Sequence, residues 1–126
     1  AKEPLDALAA FGGLEVATLT GAVIQAASER RVIVVDGFIA SSAVLVASRL
    51  RSKVLDYCIF SHRSDEQGHS LMLDEMNAEP LFDLKLRLGE GSGAALAWPL
   101  LMSACTILRE MASFEAAGVS RDDDNQ

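Results

Sequence analysis

The chain has few aromatic residues, few basic residues and only two cysteines, and each shortage excludes a class of structure or partner. Aromatic residues make up 6% of the 126 positions while half are apolar, so a core of Ala, Val and Leu with closely packed helices and sheet is expected. Eleven Lys and Arg stand against eighteen Asp and Glu, which gives a formal net charge of −7. Because nucleic-acid binding needs clustered basic residues, no nucleic-acid partner is expected. A single bound phosphate is not excluded, since backbone amides can hold one.

The cysteines and histidines are too few and too scattered for a metal site. Cys58 and Cys105 lie far apart in apolar segments, which predicts reduced, buried thiols in a cytoplasmic protein and no disulfide. His62 and His69 are the only histidines, and no zinc-type spacing is present. The first residues lack the apolar segment of a signal peptide, so none is expected.

One uncharged stretch imitates a membrane span. Residues 91–108 carry no charge over 18 positions, which reaches the lower limit for a spanning helix. The stretch contains glycine, serine and proline and lacks basic flanks, so a helix buried in the core is predicted instead, with no membrane contact. The length fits one domain, predicted at 1–115 and followed by an acidic, flexible tail at 116–126.

The pattern of apolar runs predicts an α/β fold. Residues 32–36 form a continuously apolar, β-branched run that ends at Asp36, which is typical of a parallel strand covered on both faces. A helix to about residue 52 follows Gly37. Residues 57–60 predict a second buried strand, and Ser64 with Gln67 fits a capping box that opens a helix to about residue 76. The remaining predicted elements are helices at 4–11, 14–30 and 92–113 and a short strand at 81–86.

Small or polar residues follow each predicted strand. They are Asp36 and Gly37 after the first strand, residues 61–64 after the second, and the loop 87–93 after the third. Parallel strands bring such turns to one edge of the sheet, where ligands bind in open α/β folds. The last loop has glycine at every second position, which lets a substrate approach the backbone closely. Glu90 at its centre suits a general base or a hydrogen-bond acceptor.

Each of these residues also has a purely structural interpretation. Glu90 can be a solvated residue of a connecting loop, Asp36 a structural acid bonded to loop amides, and Ser64 only the N-cap of its helix. Of the two histidines, His62 is predicted to be structural and His69 to lie on a solvated helix face.

Five segments, in family order, closely resemble the nicotinate-nucleotide–dimethylbenzimidazole phosphoribosyltransferase family. The resemblance runs from about residue 4 to residue 114, and five matched segments are far more specific than one glycine loop. The matched segments are residues 12–17, 35–38, 61–64, 79–81 and 87–97.

The resemblance implies a fold, a reaction and a set of site residues. It implies the C-terminal part of a Rossmann-like, doubly wound α/β domain in a homodimer that needs no cofactor or metal. The implied reaction transfers phosphoribosyl from nicotinate mononucleotide to 5,6-dimethylbenzimidazole and gives α-ribazole 5′-phosphate and nicotinate. Glu90 matches the family's general base, and Leu88 a residue that packs on the benzimidazole ring. The other substrate-binding residues expected are Gly37 and Ser64 near the ribose 5′-phosphate, together with Gly89 and Asp36.

The resemblance also implies that something is missing. The family's second glycine motif and its phosphate-binding lysine have no counterpart in these residues, so little or no transferase activity is expected of this chain alone. Two other interpretations are a nucleotide-binding module without catalysis and a dimerisation fragment that uses the apolar face of residues 94–112.

Overall fold

A computed structural model of the chain describes residues 3–112. The predicted tail at 116–126 lies outside these residues. The described elements are, in order, α1 Pro4–Phe11, α2 Leu14–Ser28, β1 Ile33–Val35, α3 Phe38–Leu50, a 3₁₀ helix Ser52–Tyr57, β2 Cys58–Phe60, α4 Gln67–Glu75 and α5 Ser92–Glu110. Every predicted helix is therefore present within a few residues of its predicted bounds.

The two strands pair in parallel through the α3 crossover. Ile33 lies opposite Cys58 and Val35 opposite Phe60, so both strands end at the same edge of the sheet. The α/β class and the parallel pairing are thus confirmed. This edge receives the turns that follow both strands, which is what positions the candidate site.

The third strand predicted at 81–86 is wrong as an extended element. Only one parallel bridge, between His62 and Phe82, continues the sheet in this part of the described chain. The backbone of Phe82 accepts from Arg63 and donates to Ser61, at 2.8 and 3.0 Å. Pairing does not extend beyond Phe82, and the left-handed φ of 53° at Lys85 rules out a strand that continues through that residue.

The hydrophobic core lies between the sheet and the helices α2, α3 and α4. It is built almost entirely from aliphatic side chains, as the composition predicts. Leu73 of α4 and Ala47 of α3 are fully buried at its centre. The buried cluster comprises Val23, Ala27, Val35, Val44, Ala47, Val54, Phe60, Leu73 and Met76.

The prediction that the long helix α5 is buried is wrong. Only Gly93 and Ala97 of α5 are buried, which is 11% of the most apolar 18 residues of the helix. These two residues lie four apart on one stripe of the first turns, and the rest of the helix leaves the sheet. By length and composition the helix is sufficient to cross a membrane. Its exposed large apolar residues are Leu96, Trp98, Leu100, Met102, Ile107 and Leu108.

The cysteine prediction holds only in part. Both thiols are free, but Cys105 lies on the exposed surface of α5 and Cys58 is half-buried. Burial raises the pKa of the Cys58 thiol to about 11. Cys105 is exposed for the same reason as its neighbours on α5: no part of the described chain packs over that helix beyond its first turns.

Candidate active site

The turns after β1 and β2 and the glycine loop before α5 surround one cavity of about 450 Å³. The predicted meeting of the three segments is therefore confirmed as a shared cavity, although only the first two follow strands of the sheet. Five of the six predicted site residues line the cavity, and His62 lines it as well; the five are Asp36, Gly37, Ser64, Gly89 and Glu90. Leu88, the sixth, is not among the lining residues, and its side chain is 74% exposed.

Glu90 is presented by a turn of three successive left-handed residues. Gly89 has a φ of 72°, Glu90 of 55° and Gly91 of 80°. The amide of Ser92 donates to the carbonyl of Gly89 at 3.0 Å and closes the turn. A left-handed conformation costs a residue with a side chain about 1–3 kcal/mol, and such strain persists where the surrounding structure imposes it. The strained turn places the exposed Glu90 at the cavity rather than along a helix.

Asp36 uses both carboxylate oxygens to hold the start of α5. Its Oδ1 accepts the amide of Ala94 at 3.0 Å, and its Oδ2 accepts the amide of Gly91 at 3.3 Å. The first amides of a helix have no partner within the helix, and they carry its positive dipole end. Asp36 therefore acts as a cap supplied from a distant strand, which is the structural interpretation offered for it above.

His62 is buried between two glycines at the floor of the cavity. Its side chain is 2% exposed, and Nε2 lies 3.9 Å from Oδ1 of Asp36. Neither ring nitrogen makes a hydrogen bond within residues 3–112. A Cβ at Gly93 would lie 2.7 Å from Nε2 of His62 and 2.8 Å from the hydroxyl of Ser61, so glycine is required there. A Cβ at Gly37 would lie 3.3 Å from the same nitrogen.

Ser64 does not cap α4, and the predicted capping box is wrong. The helix begins at Gln67 with Glu66 in the N-cap position and no side-chain cap. The Ser64 hydroxyl is buried and has no hydrogen-bond partner among the described residues. Its amide instead donates to Nδ1 of His69 at 2.9 Å. Ser64 is thus held by its backbone while its hydroxyl is left for another partner, and a buried unpaired hydroxyl at a cavity is typical of a ligand site.

The prediction that His69 is solvated is also wrong, because its side chain is fully buried. His69 lies four residues before the buried Leu73, on the inward face of α4. Since Nδ1 accepts the Ser64 amide, Nε2 carries the proton and donates to the hydroxyl of Ser41 at 2.9 Å. Burial lowers the pKa of His69, and the nearby His62 and Arg63 lower it further. His69 therefore links α3, α4 and the Ser64 turn as a neutral imidazole.

The described residues offer the cavity four carboxylates, the hydroxyl of Ser64, the ring of His62 and glycine backbone. Among residues 3–112 no group of three or more His, Cys, Asp or Glu side chains could hold a metal ion. One exposed ion pair, Arg87 with Asp65 at 3.8 Å, joins two of the lining segments across the cavity. Asp36 is bonded to the start of α5 and Asp65 is paired with Arg87, so the chemistry available is proton acceptance by Glu90 or Glu66 and hydrogen bonding by Ser64.

The same segments recur in known proteins. A sequence profile described as Phosphoribosyltransferase matches residues 1–119. The nicotinate-nucleotide–dimethylbenzimidazole phosphoribosyltransferase of Variovorax paradoxus (strain S110) is 71% identical over 123 residues, which cover 98% of this chain and 35% of that protein. The protein of the same name from Cupriavidus necator is 60% identical over 120 residues, 95% of this chain and 35% of its own length.

A solved structure gives the same result. The crystal structure of nicotinate-nucleotide–dimethylbenzimidazole phosphoribosyltransferase from Thermus thermophilus matches with a TM-score of 0.88 at 40% identity, and the match covers 96% of this chain and 36% of that one. The chain thus spans about a third of the length of the curated relatives and solved structure it matches.

Proposed function

The chain belongs to the phosphoribosyltransferase family, and on that basis we propose that it is the C-terminal part of an enzyme that makes α-ribazole 5′-phosphate. The enzyme transfers the phosphoribosyl group of nicotinate mononucleotide to 5,6-dimethylbenzimidazole and releases nicotinate. The relatives' names support both substrates. The observation that carries the proposal is the position of Glu90, which a strained glycine turn presents at the same cavity as the turns after β1 and β2.

Glu90 is the proposed general base. One ring nitrogen of dimethylbenzimidazole attacks the anomeric carbon with its lone pair, and the carbon–nitrogen bond to nicotinate breaks with its electrons going to the pyridine nitrogen. The second ring nitrogen of the acceptor then carries a proton that must leave, and the Glu90 carboxylate takes it. Such proton transfer contributes about 10²–10⁴ to the rate of enzymes that use it. No step of this sequence needs a metal.

The turns at Gly37 and Ser64 are the proposed site for the ribose 5′-phosphate. Gly37 is the residue before α3, so unpaired amides of that helix start face the same region. The Ser64 hydroxyl is buried without a partner among the described residues and can donate to a phosphate oxygen. Leu88, one residue before the lining residue Gly89 and exposed, is the proposed contact for the benzimidazole ring. Gly89 leaves space for that approach.

We further propose a larger doubly wound sheet, a homodimer and a cytoplasmic location for the complete enzyme. The parallel pair β1 and β2 with its α3 crossover is one unit of such a sheet. The exposed apolar residues of α5 support an interface with another chain or with the remainder of the enzyme rather than with a membrane. The two free thiols fit a reducing compartment, and the net charge of −7 fits a protein without nucleic-acid partners.

Substitution of Glu90 tests the proposed function. The assay is nicotinate release that depends on dimethylbenzimidazole, measured in a chimera in which this chain replaces the matched 123 residues of the Variovorax paradoxus relative. Glu90→Gln should lower turnover by about 10²–10⁴. Glu110→Gln, at the other end of α5, is the matched control and should leave turnover unchanged. A loss of less than about tenfold for Glu90→Gln contradicts the base assignment.

A second candidate function is dimerisation without catalysis, which the exposed face of α5 favours. It predicts that the isolated chain associates in solution but has no affinity for nicotinate mononucleotide or benzimidazole. Sedimentation equilibrium checks the association, and calorimetric titration separates the two functions, because affinity for either substrate would contradict dimerisation alone. The proposed transferase predicts little turnover from the chain alone, and turnover at a normal enzyme rate would contradict its incompleteness.

A further inference from the structure

The Asp36 carboxylate is tied to the backbone on both sides of the first turn of α5. Oδ2 accepts the amide of Gly91, the residue directly after Glu90. Oδ1 accepts the amide of Ala94, inside the helix. Each of the two oxygens thus accepts one backbone amide, and the two bonds together fix the orientation of the carboxylate relative to α5.

The strain in the Glu90 turn needs an external restraint, and Asp36 supplies it. Glu90 adopts a φ of 55°, a conformation a side-chain-bearing residue avoids unless its neighbours impose it. Within the turn, the only backbone bond is from Ser92 to Gly89. The bond from Gly91 to Asp36 fixes the plane of the peptide that joins Glu90 to Gly91, because that amide belongs to this peptide unit. Together with the φ of Glu90, that plane limits the direction in which the Glu90 side chain leaves the backbone.

The backbone of Asp36 is itself fixed by hydrogen bonds from the turn after β2. The Ser61 hydroxyl donates to the Asp36 carbonyl at 2.8 Å, and the amide of Ser61 donates to the carbonyl of Val35 at 2.9 Å. The buried His62 lies 3.9 Å from Oδ1. Asp36 is therefore a rigid point at the sheet edge, and its side chain is only 20% exposed.

We propose that Asp36 is a positioning residue for Glu90, which it aims through the amide of Gly91, and that it does not bind substrate. This differs from the substrate-binding role expected for Asp36 from the sequence. The inference rests on the proposed function of Glu90 as the base. The positioning role explains why Asp36 directly follows β1. From there its carboxylate reaches the start of α5, which is preceded by the turn that presents Glu90.

A double-mutant cycle between Asp36 and Glu90 tests this role in the full-length chimera. Asp36→Asn keeps one acceptor oxygen for Ala94 and presents an NH₂ group to the amide of Gly91, so the Glu90 turn loses its restraint. We expect kcat to fall between about tenfold and a hundredfold, since a misplacement of about 1 Å can cost that much. KM for nicotinate mononucleotide should stay within about threefold, because no substrate contact is removed.

The cycle separates positioning from direct binding. In the Glu90→Gln background, Asp36→Asn should cost less than about threefold, since residues that act as one unit are not additive. Losses that multiply, or a rise in KM that accounts for the loss in kcat/KM, would overturn the positioning role and leave the base assignment intact. If Glu90→Gln alone costs less than about tenfold, the base assignment fails, and the positioning role fails with it.

Folding is controlled separately. Asp74→Asn, on the exposed side of α4, is the matched control and should change neither kcat nor KM. Circular dichroism identifies any variant that does not fold. If Asp36→Asn is such a variant, the same cycle is run with Asp36→Glu, which keeps the charge and both oxygens but displaces them by one methylene. It should show the same loss of kcat and the same disappearance of that loss beside Glu90→Gln, and multiplying losses would again overturn the role.

Discussion

Replacement of Gly93 by alanine should unfold the chain more easily, although alanine is the better helix former. Gly93 is buried in the first turn of α5 against the ring of His62. An added Cβ would lie 2.7 Å from Nε2 of that ring and 2.8 Å from the Ser61 hydroxyl, where real Cβ atoms do not approach. Either α5 moves away from the sheet or the buried imidazole moves, and both changes disturb the contact that anchors α5.

The two opposing effects have different magnitudes. Forcing an extra methyl group into a packed site costs about 1–3 kcal/mol. Replacing glycine by alanine in a helix stabilises by about 0.5–1 kcal/mol, and Gly93 has no positive φ that would cancel this gain. The cost of the clash therefore exceeds the gain in helix preference, and we expect a net loss of about 1–2 kcal/mol in the free energy of unfolding.

Urea unfolding of Gly93→Ala beside Gly21→Ala measures this balance. Gly21 lies inside α2, and a Cβ there would meet nothing within 4 Å, so only the helix preference acts. Gly21→Ala should therefore raise the free energy of unfolding by about 0.5–1 kcal/mol. If Gly93→Ala stabilises the chain as Gly21→Ala does, α5 does not approach His62 as described.

Two further predictions concern His69 and the thiols. His69→Phe keeps a ring in place but leaves the Ser64 amide and the Ser41 hydroxyl without a partner, so it should cost about 1–3 kcal/mol in the free energy of unfolding. Since the pKa of His69 is lowered below its ordinary 6.5 in the fold, its contribution is complete above pH 6.5 and is lost as the pH falls toward the lowered value. A thiol reagent near neutral pH should label Cys105 and spare Cys58, whose pKa is raised to about 11.

Each of these has its own check. Urea unfolding of the parent and of His69→Phe, above pH 6.5 and about one unit below it, should show a weaker loss of stability with acid in the variant. Equal losses would mean that His69 is not buried as a neutral ring. Mass spectrometry locates the thiol label, and Cys105→Ser should abolish it. Rapid labelling of Cys58 would contradict its burial.

Local sequence patterns predicted the elements that depend on local chemistry. The β-branched run before Asp36 indicates a strand and the apolar pattern of residues 14–30 a helix, from neighbouring residues alone, and both appear within two residues of prediction. The shared edge also follows from sequence, because parallel strands place their following turns together. Residues 36, 37 and 64 meet at one cavity for that reason, whereas residues 89 and 90 reach it because Asp36 holds the start of α5.

The errors come from contacts between residues distant in sequence. The local sequence predicts Ser64 as a helix cap, but in the structure its amide donates to the ring of His69. The burial of His69 depends on tertiary packing, which the local sequence does not show. The role of Asp36 likewise depends on α5 meeting the end of β1, with separations of 55 and 58 residues for its two bonds. The role of Gly93 depends on α5 meeting Ser61 and His62 after β2. For α5, hydropathy indicated burial, but the described residues provide cover only at Gly93 and Ala97.

The most direct test of the account is the position of dimethylbenzimidazole relative to Glu90 in a crystal structure of the full-length chimera with the bound base. The account predicts a carboxylate oxygen of Glu90 about 2.6–3.2 Å from a ring nitrogen, with the Asp36 carboxylate still bonded to Gly91. A base bound elsewhere, or a Glu90 carboxylate directed into solvent away from the ring, would contradict it.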